Sequence, residues 1–260
     1  MPSSPENNHP LIFSRQEGLN IAYHLSPGKS PGVIFLGGFR SDMEGTKAQA
    51  LEQWCRANGR AFLRFDYTGH GRSMGTFEEG CISDWAEDAL DVLDHVTEGP
   101  QVLVGSSMGG WVMLLVASQR PERIKGLLGL AAAPDFTEDL MWRDLNEAQR
   151  VELNENGLVA LDNCYDNQDP YIITKKLIED GKTNLVLRDP INLKVPVRLI
   201  QGLQDADVPW ATALKLQEAL VTQDVEIQFI KNGDHRLSEP QDLLRLTRTL
   251  ENLLKDIESP

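Results

Sequence analysis

Six short apolar runs, VIFL (33–36), AFLRFD (61–66), QVLVG (101–105), IKGLLGLAAA (124–133), VPVRLIQG (195–202) and VEIQFI (225–230), alternate with segments whose apolar residues recur at helical spacing. Few folds accommodate that rhythm. A strand followed by a helix and another strand returns parallel to the first, so the pattern predicts βαβ units and a mostly parallel sheet. Right-handed crossovers then put the helices on both faces, which makes the architecture doubly wound α/β. Ahead of the first run, residues 11–25 alternate loosely around Glu17-Gly18 and predict a β-hairpin.

Two helices carry their own signatures. Between 82 and 96, Ile82, Trp85, Ala86, Ala89, Leu93 and Val96 share one face, while Asp84, Glu87, Asp88, Asp91 and Asp94 fall mostly on the other, a row read as solvated. The helix predicted at 240–256 follows Ser238-Glu239-Pro240-Gln241, a capping-box pattern with proline in the first turn. The rhythm breaks between 134 and 192, a polar and acidic stretch with Gly157, Pro170, Gly181 and Pro190. It holds helix-like pieces at 138–153 and 170–180 and no clear strand. The expectation is one domain over 1–260 with a helical cap inserted at 134–192.

Composition narrows the function. The 260 residues carry 25 basic and 39 acidic side chains, a net charge of −14, which repels phosphate backbones and anionic lipid. Nucleic acid is therefore not an expected partner. No apolar run approaches the ~18 residues that span a bilayer, so membrane insertion is not expected. MPSSPENNHP lacks the basic and apolar regions of a signal peptide. Cys55, Cys81 and Cys164 form neither a CxxC pair nor a disulfide framework. A cytoplasmic setting is the simplest expectation, with the mitochondrial matrix as the alternative should a leader have been removed. The five histidines are scattered, and neither a metal-ligand spacing nor a nucleotide fingerprint is present, so no metal and no cofactor is expected.

Chemistry concentrates in Gly105-Ser106-Ser107-Met108-Gly109-Gly110, between the strand-like QVLV and the helix-like WVMLLVASQ. A Gly-x-Ser-x-Gly turn from strand to helix is a nucleophile elbow, in which glycines flank a serine forced into a tight bend. Gly105 and Gly109 flank Ser107; Ser106 would have Val104 and Met108 instead. A serine hydroxyl is a weak nucleophile without a base. In the chain order that accompanies such an elbow, the acid and then the histidine follow the serine. His235 is the one histidine after Ser107, directly beyond VEIQFI. Asp205, at the carboxyl end of VPVRLIQG, leads as the acid, with Asp207 and Asp135 as alternatives. Oxyanion donors are expected from the N–H of Met108 and, after VIFL, from the N–H of Phe39 in Gly37-Gly38-Phe39-Arg40. Trp111, Trp142 and Trp210, with Phe39 and Met108, are the expected apolar wall of an acyl pocket.

With these residues placed, the chain resembles the α/β-hydrolase superfamily from Val33 to the last helix. RFDYTGHGRSMG (64–75) is similar to that superfamily's Asp-x-x-Gly-His-Gly loop, and QGLQDADVPW (201–210) to its acid-bearing loop, which selects Asp205. The resemblance implies an eight-stranded sheet. More narrowly, GTKA (45–48), RFDYTGHG, GSSMGGWVML (105–114), GLQDADVPW and GDHR (233–236) together resemble the mitochondrial palmitoyl-protein thioesterase and acyl-glucuronide esterase group and its bacterial relatives. The implied function is a cofactor-free serine hydrolase that cleaves carboxylic esters or thioesters through an acyl-enzyme. Its substrate would be a small molecule or an acylated protein. The alternatives are a C–C bond hydrolase or haloperoxidase-like enzyme with the same triad, and a hydrolase-like protein that binds ligand without turnover.

Overall fold

The computed structural model describes residues 9–15, 18–161 and 171–259. The hairpin forms as expected: β1 (Leu11–Ser14) pairs antiparallel with β2 (Asn20–Ser26), Leu11 opposite Tyr23. Of its expected turn, Glu17 lies outside the described residues. Then come β3 (Lys29–Leu36), α1 (Thr46–Ala57), β4 (Arg60–Phe65), α2 (Ile82–His95), β5 (Gln101–Ser106), α3 (Met108–Gln119) and β6 (Ile124–Leu130). A π-helical turn (Thr137–Trp142), α4 (Glu147–Asn156), β7 (Leu158–Leu161), β8 (Tyr171–Thr174) and α5 (Lys175–Thr183) follow. The chain closes with β9 (Val197–Gly202), α6 (Ala211–Ala219), β10 (Val225–Ile230) and α7 (Pro240–Glu258).

Eight strands form one sheet in the order β1-β2-β4-β3-β5-β6-β9-β10, parallel throughout from β4 to β10. Central strands β5 and β6 are buried along nearly their whole length, as expected where both faces are covered. On one face Ala48, Leu51 and Cys55 of α1 and Leu246, Leu250, Leu253 and Leu254 of α7 close over Val33, Val102 and Leu128. On the other, Trp85 of α2, Trp111 of α3 and Leu216 of α6 close over Ile34, Leu103 and Leu127. Crossover topology therefore delivers the carboxyl ends of β3, β5, β9 and β10 to one rim, where a parallel sheet presents reactive groups.

Three local readings are corrected. The stretch between β6 and β9 holds β7 and β8, which pair antiparallel as a separate two-stranded sheet, so residues 171–174 of the expected helix 170–180 are strand. At α7, Pro240 takes the first turn but Glu239 is the N-cap and makes no side-chain cap bond. The reciprocal capping box forms instead at α4, between Asn146 and Gln149. The acidic row of α2 is only partly solvated: Asp88 is fully buried against Arg15 and Thr68, and Asp94 and Asp84 bind Arg120 and Lys176. Among the described residues no helix is long and apolar enough to cross a membrane. Of the three cysteines, Cys55 and Cys81 are buried free thiols, and Cys164 lies outside the described residues.

Candidate active site

Ser107 sits between β5 and α3 with φ 53° and ψ −119°, a conformation rare for a residue with a side chain. The surrounding packing holds it there. Its N–H donates to Leu130 O at 2.9 Å, and its carbonyl accepts from Ala133 N at 3.0 Å and Gly110 N at 2.9 Å. The flanking glycines are steric requirements. A Cβ on Gly105 would lie 2.4 Å from Gly109 O, and one on Gly109 would lie 2.1 Å from Leu36 O. Ser106, by contrast, is a buried residue at the end of β5.

Three loops bring the expected triad together. His235 Nε2 lies 3.0 Å from Ser107 Oγ, and His235 Nδ1 lies 2.9 Å from Asp205 Oδ2. The Asp205 side chain, in the loop that follows β9, has no exposed surface. Its Oδ1 accepts from the N–H groups of Asp207 (2.9 Å) and Val208 (2.8 Å), and its Oδ2 from Gln201 Nε2 (2.9 Å). Burial alone would raise its pKa; the bond and charge of His235 and the two amides outweigh that and hold it below the ordinary carboxylate value.

The two alternative acids have other places. Asp207 is exposed and supplies its backbone N–H to Asp205. Asp135, fully buried with φ 59°, accepts from Val186 N (2.8 Å) and Leu187 N (2.9 Å) and so ties the returning chain to the end of β6. Asp205, Asp207 and His235 are also the described residues whose ligand-type atoms cluster within 4.8 Å of one another. The bond between His235 and Asp205 accounts for the proximity of those two.

Met108 opens α3, where an N–H has no acceptor within the helix and the dipole is positive. Gly38 brings the loop after β3 so close that a Cβ on it would lie 3.4 Å from Ser107 Cβ. Next to it, Phe39 is half-buried, its ring edge-on to Phe77, Trp85 and Phe136 at 4.8, 5.9 and 5.8 Å and stacked on Tyr171 at 6.4 Å. Nothing in the sequence grouped Phe136, Phe77 and Tyr171 around Phe39. Two of them come from the stretch between β6 and β9, where no periodicity marks a wall.

The three tryptophans do not form the expected single wall. Trp111 has no exposed surface; it packs edge-on to Phe136 and donates from Nε1 to Asn184 O at 3.0 Å. Trp142 packs with the small cluster of Leu145, Leu153, Val159 and Ile173, between the cations of Arg150 and Lys182. Trp210, about half exposed, caps α6 and meets Phe229 edge-on at 6.1 Å. Met108 is likewise fully buried, so its side chain adds no surface to such a wall.

Comparison with known proteins agrees with this architecture. Residues 35–156 match the model of the alpha/beta hydrolase fold family. The chain is 38% identical over 248 residues to the mitochondrial palmitoyl-protein thioesterase ABHD10 of Bos taurus, covering 95% of this chain and 81% of the relative. It is 35% identical over 259 residues to the Homo sapiens protein of the same name, covering 100% and 84%. Among solved structures, alpha/beta hydrolase domain-containing protein 10 from mouse superposes with a TM-score of 0.90 at 38% identity, covering 96% of this chain and 99% of that one. A putative hydrolase from Agrobacterium vitis S4 does so at 0.89 and 40% identity, covering 94% and 97%. With end-to-end similarity at this level, and with the elbow and its sheet in place, the chain belongs to the α/β-hydrolase family.

Proposed function

We propose that this protein is a serine hydrolase that cleaves carboxylic esters or thioesters through an acyl-enzyme. The observation that carries the reading is the unbroken hydrogen-bonded line from Ser107 Oγ through His235 to buried Asp205. His235 Nε2 takes the proton as Ser107 Oγ attacks the acyl carbonyl, then returns it to the departing alcohol or thiol. The same imidazole deprotonates the water that releases the acid. Asp205 fixes the tautomer with Nδ1–H toward the carboxylate and stabilises the imidazolium. The N–H groups of Met108 and Phe39 take the oxyanion. The aromatic wall of Phe39, Phe136, Phe77 and Tyr171 favours an apolar acyl group, and the relatives named as palmitoyl-protein thioesterases support a fatty thioester as the substrate class. The segment 134–192 serves as the cap that carries part of this wall. Two buried free thiols suit a reducing compartment, and the relatives' names favour mitochondria over the cytoplasm.

The test is covalent labelling of the native protein by a fluorophosphonate, with turnover on p-nitrophenyl esters of rising chain length beside palmitoyl and short-chain thioesters. Labelling is expected at Ser107, and Ser107→Ala is expected to lower turnover by roughly 10⁴–10⁶-fold with the fold intact. A protein that takes no label and turns over none of the panel would be a ligand-binding member of the family instead.

A further inference from the structure

We infer that Lys47 is a positioning residue for the catalytic base, clamping the stretch of backbone that carries His235. The inference rests on the serine-hydrolase reading above. Lys47 lies in the first turn of α1, immediately past the loop that holds Phe39. Its Nζ donates to the carbonyl oxygen of Arg236, the residue after His235 and 189 positions away in the chain. On the other side of His235, the carbonyl of Gly233 accepts from Gln204 N at 3.0 Å, and Gln204 directly precedes Asp205. Leu237 N closes the turn onto Asp234 Oδ1 at 3.0 Å.

The peptide around the imidazole is therefore held at both ends. The upstream hold comes from the loop that supplies the acid. The downstream hold comes from the helix that follows the proposed oxyanion loop. Lys47 is thus a polar link between the oxyanion side of the site and its base side. Removing the ammonium takes this bond from the Arg236 carbonyl while every hydrogen bond of the triad keeps its own donor and acceptor. What changes is the precision with which Nε2 meets Ser107 Oγ.

The clamp has a pH limit. Lys47 is faced by Asp234 and Arg236 of the same loop, by Asp205 of the acid loop and by Asp242 in the first turn of α7. Its burial lowers the ammonium pKa to about 8, against the opposing pull of Asp234, Asp205 and Asp242. As pH rises through that value, the bond to Arg236 O loses its charge assistance. Arginine at this position stays cationic over the whole range.

The experiment compares wild type, Lys47→Met and Lys47→Arg across about pH 6 to 9, reading kcat and KM on a p-nitrophenyl ester, the rate of fluorophosphonate labelling of Ser107, and thermal unfolding. Lys47→Met is expected to lower kcat and the labelling rate by about 10- to 100-fold, the scale set by a misplaced catalytic group, with KM within about twofold. Lys47→Arg is expected to recover most of that loss and to lack the wild-type fall in kcat as pH passes about 8. Near-wild-type kcat in Lys47→Met overturns the inference. So does equal loss in both variants with one shared pH profile, which would mark a merely structural lysine. Should Lys47→Met fail to fold, Lys47→Arg decides alone, and a wild-type alkaline profile in it overturns the clamp. Failure of wild type itself to label would instead overturn the hydrolase reading.

Discussion

Gln201 Nε2 stands 2.9 Å from Asp205 Oδ2, the same oxygen that faces His235 Nδ1 at 2.9 Å. Gln201 is 1% exposed near the end of β9, and its amide also reaches Gly202 O (3.3 Å) and Val208 O (3.2 Å). The acid is thus held from its own strand as well as from its own loop. A hydrogen bond to a charged group is worth about 1.5–3 kcal/mol. Gln201→Leu is therefore expected to raise the Asp205 pKa and to lower kcat/KM by about tenfold or more, with the acid limb of the pH profile moved to higher pH. An unchanged kcat/KM and acid limb would mean that the amide serves only the loop.

The elbow makes a steric prediction with its own control. A Cβ on Gly109 would stand 2.1 Å from Leu36 O and 2.6 Å from Gly37 O, both backbone atoms leading into the proposed oxyanion loop. Backbone cannot give way as a side chain end does, so Gly109→Ala is expected to drive α3 from β3 and abolish labelling of Ser107. Gly157, the left-handed cap of α4 at φ 78°, has nothing within 4 Å of its Cβ position. Gly157→Ala is expected to cost about 1 kcal/mol of stability and leave labelling intact. Equal labelling of the two variants would contradict this.

Burial decides a third case. Arg15, 14% exposed at its side chain, meets Asp88 at 2.8 Å, Asp91 at 2.5 Å and Glu87 at 3.3 Å, and so pins the β1–β2 hairpin to α2. Asp88 is fully buried, so losing its cation leaves it with the two bonds from Thr68. Arg15→Met is expected to destabilise the protein by about 3 kcal/mol in urea unfolding. A loss under about 0.5 kcal/mol, the scale of an exposed pair, would show the contact to be superficial.

The parallel part of the sheet was legible because its six strands are short apolar runs, most of them joined by segments with helical spacing. The catalytic order was legible because the elbow needs glycines at fixed offsets and a single histidine follows it. Spacing put Asp205 ahead of Asp207 without excluding it, since the two share one loop. The bond from His235 and the donors that converge on Asp205 separate them. β7 and β8 escaped notice because LVAL and YIIT are four residues long and stand beside no apolar partner in sequence. For Trp111 the sequence could not tell exposed from buried, because α3 is apolar on all sides and periodicity does not distinguish its faces. Gln201 and Lys47 act across strands and loops, and no local pattern announces a single polar contact of that kind.

His70 makes the last prediction, through pH. It is 4% exposed, edge-on to Tyr67, Phe77 and Trp85 at 5.6, 5.0 and 5.3 Å, with Nδ1 3.3 Å from Thr68 O. Among the described residues its buried Nε2 has no hydrogen-bond partner. Burial pulls its pKa from 6.5 down to about 4; the Thr68 carbonyl acts in the opposite sense and Arg40 in the same one. Between those two values the unfolded chain binds more protons than the folded one, so stability rises with pH across the window. The contribution is complete above about 6.5 and is lost as pH falls through about 4, amounting to about 3 kcal/mol. Urea unfolding at pH 7 and pH 5 should then show wild type losing about 2 kcal/mol more than His70→Phe, which keeps the ring packing and removes the proton site. Identical losses in the two proteins would mean that the folded state protonates this imidazole as readily as the unfolded chain does.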